Sequence, residues 1–385
     1  MSDATKARSR PIFYVLTILI GFGLALLILE SLLHLFPVGN AVLLAEIEPS
    51  KMVKRYRPGS EIQWSAGWDF ALRTRKKVDG LGFLNDHPVP SSSVEPLMVV
   101  IGDSYVEALQ VENRAAHHAL LHEAVGNRGH VRGMGTSGSP LANYLVYAEL
   151  SKRELEPSAY VFVVIGNDFD ESMCPYFNGG IGMWCFRERN SDQFDLVPVE
   201  APLSTLRALA RRSALLRYLA FNLHFDWRRL VPDWRDAEDV EQFVGNVSAK
   251  VNATRLRASE RAVDLFLTRL PESTGLPSNR VLLVIDGIRQ HIYHPDRTTD
   301  KSFFAHMREY FEQRAAKLDY EVVDLHPAFE EDYLRHGERF EFPEDGHWNP
   351  LGHWVVANAI AHSKVFTNVF GDVELGKRPG AAAAE

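Results

Sequence analysis

Four short polar segments of the chain carry residue types that acyl-transfer chemistry needs. They are Gly-Asp-Ser at 102–104, Gly-Thr-Ser-Gly at 135–138, Gly-Asn-Asp at 166–168 and Glu-Asp-Gly-His-Trp-Asn-Pro-Leu-Gly-His at 344–353. A serine nucleophile needs a base, and the base needs a carboxylate that orients it. An oxyanion needs donors, which backbone N–H groups at Gly turns and an Asn side-chain amide can supply. Each segment is unremarkable alone, but together they predict a serine-dependent acyl-transfer site.

Three of these segments follow short apolar runs. Runs of β-branched residues that stop at Gly, Asp or Asn are typical of strands buried on both faces. We predict five such strands, at 97–104, 130–135, 159–166, 280–287 and 320–325. Helical patterns separate most of them, at Leu141–Leu155, Phe303–Lys317 and Leu351–His362. Strand–helix alternation predicts an α/β fold with a parallel sheet and helices on both faces, whose ligand sites lie at the carboxyl ends of the strands.

The remaining chain divides around this predicted domain of residues 96–365. Residues 38–95 are predicted to be a linker with short strands. More than a hundred residues separate Gly166 from Arg280, with helix-like stretches at about 203–229 and 237–270. This length is too great for a loop, so we predict a mainly helical insertion at about 170–279. The low-complexity end predicts a disordered tail over residues 366–385.

With these four segments the chain resembles the SGNH hydrolases, which are also called GDSL-type esterases and lipases. The Ser, Gly, Asn and His blocks of that family occur here in the same order. The segment VVIGDSYVEALQVE matches the Ser block and gives Ser104. The segment GMGTSGSP matches the Gly block and gives Gly138, with Gly135 as the alternative register. The segments VIGNDFDE and EDGHWNPLGH give Asn167 and His347.

The resemblance implies a three-layer α/β/α sandwich with a five-stranded parallel sheet of flavodoxin-like order. It also implies the roles. Ser104 is the nucleophile and His347 is the base, while the Ser104 and Gly138 N–H groups and the Asn167 amide form the oxyanion hole. No metal or cofactor is needed. The commonest family spacing puts Asp three residues before His, where this chain has Glu344. The Asp-x-His-Trp variant is similar to SGNH proteins of bacterial envelope polysaccharide modification, so we choose Asp345 as the third triad member.

An uncharged apolar segment of eighteen residues runs from Ile12 to Leu29. A membrane-spanning helix needs about 20 apolar residues, and a core helix is rarely apolar on every face. A signal peptide has an apolar core of about 7–15 residues and a small-residue cleavage site after it, which residues 37–40 do not provide. Residues 1–37 are therefore predicted to be a cytoplasmic tail and an uncleaved transmembrane anchor.

The basic residues around this segment predict its orientation. Lys6, Arg8 and Arg10 precede it, and no Lys or Arg follows until Lys51, although a basic cluster at 54–57 weakens the asymmetry. The positive-inside rule then exports everything after residue 37. Together with the resemblance, this predicts a single-pass protein of the bacterial inner membrane whose catalytic domain is periplasmic.

Cys174 and Cys185 are the chain's two cysteines, and a Gly-Gly and an Asn between them suit a turn. In an oxidising compartment such a pair is expected to form a disulfide. Two unrelated buried cysteines are the alternative. Two thiols are too few for a four-thiolate zinc site, and His291 with His294 lacks an accompanying carboxylate motif.

Composition excludes several classes of protein. With 42 Lys and Arg against 50 Asp and Glu, the net charge is −8, which argues against a general nucleic-acid binder. The mean hydropathy of −0.16 excludes a multi-span membrane protein. Three functions fit the chain: an envelope esterase or lipase acting on a glycan or lipid ester, an O-acyltransferase that modifies an envelope polysaccharide, and a non-catalytic carbohydrate-binding protein. The filled catalytic positions favour the esterase, and the sequence leaves the substrate and the oligomeric state open.

Overall fold

The computed structural model describes residues 3–48, 53–89, 95–177, 180, 182–190, 193–199, 205–225, 243–296, 301–343 and 345–380. Its strands are β1 (Ala45–Glu48), β2 (Val53–Tyr56), β3 (Glu61–Ala66), β4 (Leu72–Lys77), β5 (Leu97–Gly102), β6 (His130–Gly135), β7 (Ala159–Val164), β8 (Trp184–Asn190), β9 (Gln193–Pro198), β10 (Phe243–Val244), β11 (Val247–Ser248), β12 (Val281–Ile285), β13 (Glu321–Asp324), β14 (Glu341–Phe342) and β15 (Asp345–Trp348).

The helices alternate with the strands through most of the chain. They are α1 (Asp3–Leu33), α2 (Ala41–Leu44), α3 (Ser104–Glu107), α4 (His117–Val125), α5 (Leu141–Leu155), α6 (Thr205–Arg212), α7 (Ala214–Arg217), α8 (Ala253–Thr274), α9 (Arg289–Tyr293), α10 (Phe303–Ala316), α11 (Leu325–His336), α12 (Pro350–Ala361) and α13 (Lys364–Phe370). A π-helical turn (Tyr218–Asn222) continues α7, and a 3₁₀ turn (Gly166–Asp168) follows β7.

Five strands form one parallel sheet in the order β13-β12-β7-β5-β6. The first strand of the sheet in the chain is β5, and its neighbours β6 and β7 are the second and third. The order reverses between β5 and β7, as in flavodoxin-like sheets, and ligand sites lie at the carboxyl ends beside such a switch point. The residues that follow β5, β6 and β7 therefore meet at one edge of the sheet.

Alternating side chains of the strands enter two separate cores. On β5, Val99 and Ile101 face a core that α5, α8 and α10 complete. Met98 and Val100 face the opposite core, which α4, α11, α12 and α13 complete. Because both faces are covered, the three central strands β5, β7 and β12 are apolar throughout. The α/β/α fold class that the resemblance implied is confirmed.

The segment expected to be a mainly helical insertion is of mixed structure. Within the described residues it holds two antiparallel hairpins, β8–β9 and β10–β11, besides α6 and α7. Helix α8 belongs to the sandwich itself, because Ala262, Val263 and Phe266 on one face are buried in the core beside the sheet. It is the crossover helix that connects β7 to β12.

Residues 38–95 contain short strands, as predicted, and β1 to β4 form two pairs. They are more than a linker, because Tyr56 and Lys76 are buried. Residues 366–380 do not form a disordered tail. Helix α13 continues to Phe370, and the Arg378 guanidinium then pairs with Asp332 at 2.6 Å. Ion pairs and backbone hydrogen bonds of this kind order a segment that lacks apolar periodicity.

The chain divides into two compact units. The smaller consists of Met1–Leu43, Gln63–Arg73 and Leu203–Pro232, and the larger contains the rest. In the smaller unit, one stretch of α1 (Phe13–Leu33) is long and apolar enough to cross a membrane, with a mean hydropathy of 2.4. Of the side chains in that stretch, only Leu33 at its end is buried within the structure. Length and composition alone do not separate a membrane anchor from a signal sequence.

Candidate active site

Ser104 is the first residue of α3, directly after the central strand β5. The Asp103 side chain caps this short helix by accepting a hydrogen bond from the Tyr105 N–H at 2.9 Å, as N-cap carboxylates do. A Cβ atom at Gly102 would lie 2.4 Å from Val106 Cγ2, so only glycine lets the helix turn back onto the strand here. The Ser104 side chain is thereby held at the end of β5.

His347 lies on β15, in the hairpin that precedes α12. Its Nε2 atom is 2.8 Å from Ser104 Oγ, although 243 residues separate the two in the chain. Its Nδ1 atom is 2.5 Å from Asp345 Oδ1. A carboxylate only accepts hydrogen bonds, so Nδ1 carries the proton and Nε2 is free to accept the proton of the Ser104 hydroxyl. The three predicted triad residues thus form one hydrogen-bonded chain.

Asp345 is placed to hold His347 in this tautomer. Its Oδ1 atom also accepts the His347 backbone N–H at 2.9 Å, and its Oδ2 atom accepts the Gln110 amide at 3.2 Å. Burial alone would raise the pKa of Asp345, but the hydrogen bonds and charge of His347, with the Gln110 amide, lower the pKa to about 2. The carboxylate stays ionised at neutral pH. Glu344, the alternative, lies outside the described residues.

Helix α12 fixes the position of the His347 hairpin. The Asn349 side chain caps the helix by accepting the Gly352 N–H at 2.9 Å, and Pro350 occupies the first turn, where its missing N–H costs nothing. The Asn349 amide also donates to the Arg339 carbonyl at 2.9 Å. The Asn-Pro pair of the His block therefore has a structural role at the helix start.

The two glycines of the Gly block have different surroundings. A Cβ atom at Gly135 would lie 2.7 Å from the Asp103 carbonyl and 2.9 Å from Val106 Cβ, so this glycine permits close packing of α3 on β6. Gly138 has φ +79 and open space around it, which makes it the turn residue. The preceding Ser137 N–H donates to Glu107 Oε2 at 3.0 Å. Gly138 therefore lies in a turn that is tied to α3.

Asn167 lies in the 3₁₀ turn after β7, the other neighbour of β5. Its amide nitrogen donates to Glu171 Oε2 at 3.3 Å, and its carbonyl oxygen accepts the Asn246 amide at 3.3 Å. These two contacts orient the Asn167 amide and leave its second N–H for another acceptor. Burial raises the pKa of Glu171 to about 7.

Asp168, the last residue of the Gly-Asn-Asp segment, has a structural role. Its Oδ2 atom accepts the Ile165 N–H at 2.7 Å and the Tyr144 hydroxyl at 2.7 Å. Burial and the charge of Asp103 raise the pKa of Asp168 well above its usual range. Asp168 thus closes the turn that carries Asn167.

Arg289 on α9 is a site-supporting residue that the sequence patterns did not single out. Its guanidinium donates to the Tyr105 hydroxyl at 3.1 Å, the Gly346 carbonyl at 3.1 Å and Asp286 Oδ2 at 3.2 Å. The Tyr105 hydroxyl also donates to the Gly346 carbonyl at 2.9 Å. The residues next to Ser104 and His347 are therefore tied together. No motif marks Arg289, since it lies far from both residues in the chain.

The segment expected to be a linker also supports the nucleophile. The Lys76 ammonium donates to the carbonyls of Glu107 and Ala108, at 3.2 and 2.5 Å, where α3 ends. The Tyr56 hydroxyl donates to the Glu107 carboxylate. Burial lowers the pKa of Lys76 to about 7. A periodicity-based prediction could not find these contacts, because they join strands to a helix across the fold.

Cys174 and Cys185 form a disulfide, with their Cα atoms 5.1 Å apart. The Cys174 N–H also donates to the Phe186 carbonyl at 3.0 Å, so β8 is attached twice to the segment after Asn167. His291 and His294, which the sequence disfavours as a metal pair, lie at α9. The described part of the chain contains no group of three or more His, Cys, Asp or Glu side chains suited to a metal.

Two depressions lie beside the strand ends and share the hairpin residues Phe243 and Asn246. The larger, of about 490 Å³, is lined mostly by polar residues. The smaller, of about 150 Å³, includes Tyr105 and Gly346, the neighbours of Ser104 and His347 in the chain. The larger is lined by Asn167, Asp170, Glu171, Tyr176, Phe243, Asn246, Val247, Ser248, Lys250, Asn252 and Arg255.

No family model and no curated protein matches the sequence. Among solved structures, the chain is similar to LAE5, an α/β hydrolase enzyme from the metagenome of Lake Arreo in Spain, with 15% identity over 70% of this chain and 95% of that one, and a TM-score of 0.38. It is similar to a lipase/acylhydrolase from Enterococcus faecalis, with 12% identity over 73% and 99% and a TM-score of 0.37. For the acetyl xylan esterase AlAXEase the identity is 14% over 68% and 96%, with a TM-score of 0.38. At these values the similarities assign neither an activity nor a substrate to this chain.

Proposed function

We propose that the chain is a serine-dependent ester hydrolase of the SGNH type. The observation that carries this proposal is the hydrogen-bonded chain from Ser104 Oγ through His347 to Asp345, at 2.8 and 2.5 Å. It lies at the carboxyl end of the sheet beside the switch point, where α/β proteins bind ligands. The complete triad disfavours a purely non-catalytic carbohydrate-binding role.

The proposed reaction proceeds through an acyl-enzyme. Ser104 Oγ attacks the ester carbonyl while His347 Nε2 takes its proton, and Asp345 stabilises the resulting imidazolium. The oxyanion accepts hydrogen bonds from the Ser104 and Gly138 N–H groups and the Asn167 amide. His347 then returns the proton to the leaving alkoxide, which departs as an alcohol. In the second half, His347 deprotonates a water that attacks the acyl carbon. The bond between the acyl carbon and Ser104 Oγ then breaks, His347 returns the proton to Ser104 Oγ, and the carboxylic acid leaves.

The lining of the two depressions supports a polar ester as substrate. The larger depression presents acids, amides, Lys250 and Arg255, which suit hydrogen bonds to a hydroxylated compound better than contact with a long acyl chain. The smaller has room for a short acyl group. We propose an O-acylated glycan with a short acyl group as the favoured substrate, ahead of a lipid ester.

Transfer to a second hydroxyl is the competing function, because it uses the same acyl-enzyme. Water and a sugar hydroxyl would compete for that intermediate, and exclusion of water decides between them. The polar lining of the depression beside Asn167 favours binding of a sugar as either substrate or acceptor.

We propose that α1 anchors the enzyme in the inner membrane with the larger unit in the periplasm. The uncharged segment and the basic residues before it support this orientation, and the disulfide is consistent with an oxidising compartment. Alkaline phosphatase fused after residue 385 should be active, and the chain should stay with membranes after a carbonate wash. Release into the soluble fraction would instead indicate a cleaved signal peptide.

The activity is tested on the full chain in detergent with p-nitrophenyl acetate, butyrate and longer esters, and with acetylated polysaccharides. Ser104→Ala should keep the fold and lower hydrolysis by several orders of magnitude. A fluorophosphonate probe should label the native chain and not this variant. Labelling of the variant would refute Ser104 as nucleophile. Acyl transfer to an added oligosaccharide that exceeds hydrolysis would favour the transferase.

A further inference from the structure

The smaller unit attaches a short helical segment to the end of α1. The Glu30 carboxylate accepts hydrogen bonds from the Ser213 hydroxyl and from the Ala214 and Leu215 N–H groups, each at 2.8 Å. These donors begin α7. A charged residue in the otherwise apolar span thus serves as the attachment point for residues that come almost two hundred positions later in the chain.

Apolar and polar contacts within the same unit strengthen this attachment. Leu33, Val38 and Ala214 are buried together, and Phe70 and Tyr218 pack against them. The Tyr218 hydroxyl donates to the Trp68 carbonyl at 2.6 Å. In addition, the Arg217 guanidinium donates to the Gly39 carbonyl at 3.0 Å. Helix α7 and its π turn are therefore held where α1 ends.

Exposed apolar side chains are concentrated in this unit. Among the described residues outside α1, nine of the thirteen large apolar side chains that are exposed belong to it, although it contains far fewer residues than the larger unit. Leu209 is 65% exposed, Leu216 47% and Phe221 45%. The nine are Leu35, Phe36, Leu43, Trp68, Leu209, Leu216, Phe221, Leu223 and Phe225. Arg211 and Arg212, which are also exposed, lie between Leu209 and Leu216 in the chain.

We propose that residues 205–225 form a membrane-contact segment that lies in the plane of the bilayer surface, with anionic lipid as its ligand. The inference rests on the proposed membrane anchor. A segment fixed to the last turn of a spanning helix lies at the boundary between hydrocarbon and headgroups. At that depth the apolar side chains enter the acyl region, and the two arginines meet lipid phosphates. In water, this concentration of exposed Leu and Phe side chains would promote aggregation.

The proposal is tested by measuring the depth of single side chains in lipid vesicles. Because both native cysteines are in a disulfide, an added cysteine can be spin-labelled selectively. Leu216→Cys and Phe221→Cys are introduced into the full chain, which is reconstituted in vesicles of phosphatidylcholine with or without one quarter phosphatidylglycerol. Leu334→Cys is the matched control, since Leu334 is 77% exposed on α11 of the larger unit.

We expect the labels at 216 and 221 to be accessible to oxygen and protected from a water-soluble nickel relaxant, and the label at 334 to show the reverse. Adding phosphatidylglycerol should deepen the first two labels, and Arg211→Gln with Arg212→Gln should abolish that increment. High salt should also reduce the increment. Identical depth in both lipid mixtures would overturn the assignment of anionic lipid.

Other outcomes separate this proposal from the anchor on which it rests. If the chain resists a carbonate wash but the labels at 216 and 221 are as exposed to nickel as that at 334, the membrane-contact segment is wrong while the anchor stands. If a carbonate wash releases the chain, the anchor is wrong and this proposal falls with it. Protection that disappears when the protein is diluted in lipid would identify a second copy as the occupant and overturn the proposal.

Discussion

Replacing Asp345 by Asn isolates the charge that holds His347. The pKa of Asp345 is lowered from 3.8 to about 2, which at 1.36 kcal/mol per unit corresponds to about 2 kcal/mol of net stabilisation of the carboxylate. The side chain is 16% exposed, so solvent screening removes little of this. Because burial opposes the shift, the contacts with His347 and Gln110 together contribute more than the net value, and the attraction to His347 is the larger part.

The same attraction stabilises the imidazolium that forms in the transition state, so its loss raises the barrier. A change of about 2 kcal/mol corresponds to about 30-fold in rate, and loss of the orienting carboxylate from a serine triad costs about 10⁴-fold. We therefore expect Asp345→Asn to lower kcat between about 30-fold and 10⁴-fold. The assay is p-nitrophenyl acetate hydrolysis by the full chain at pH 7, with circular dichroism to check the fold.

Two control variants set the scale. Glu344→Gln tests the alternative register and should cost far less activity than Asp345→Asn. Gln110→Met removes one neutral donor from the Asp345 carboxylate and should lower kcat by about tenfold, because a bond as long as 3.2 Å lies at the lower end, roughly 1.5 kcal/mol, of the range for hydrogen bonds to charged groups. A loss below tenfold for Asp345→Asn in a folded variant, or a larger loss for Glu344→Gln, would refute the assignment.

Two further predictions concern the residues around Asn167. Since burial raises the pKa of Glu171 to about 7, its carboxyl group is mostly neutral below pH 7 and charged above it. The negative charge would repel an oxyanion that is hydrogen-bonded to the Asn167 amide. Glu171→Gln should therefore raise kcat by about tenfold relative to the native chain at pH 8.5, as expected for one nearby charge in a partly screened site, and should change it little at pH 5.5. If the ratio of the two kcat values is the same at both pH values, the prediction is wrong. Replacing Cys174 and Cys185 by Ser removes a loop constraint worth roughly 3 kcal/mol in the chain-entropy model, and because Tyr176 between them lines the larger depression, KM for a glycan ester should rise more than kcat falls. An unchanged KM, or two free thiols by mass spectrometry of protein made in an oxidising compartment, would count against the disulfide's role.

The sequence contained enough local information for the sheet. The strands β5, β7 and β12 come from continuous apolar runs that stop at Gly or Asp, and the structure has all five strands within two residues of the predicted bounds. Helix α5 has the predicted limits, because apolar spacing and a polar exterior are properties of a short window of sequence. The candidate residues Ser104 and His347 were also identifiable, since each lies in a short motif.

Only the tertiary structure decided how distant segments meet. The contact between Ser104 and His347 spans 243 positions of the chain. The sequence motifs that contain these residues do not give the distance between them in space. The hydrogen bonds that Lys76 and Arg289 donate near the site were not predictable. A charged side chain is buried only where the fold supplies partners for it, and a local sequence pattern does not show those partners. The contacts of Lys76 and Arg378 with residues elsewhere in the fold were not predictable for the same reason, since their partners lie far away in the chain. Local pattern determines which elements form, whereas the contacts that complete the site depend on the packing of elements far apart in the chain.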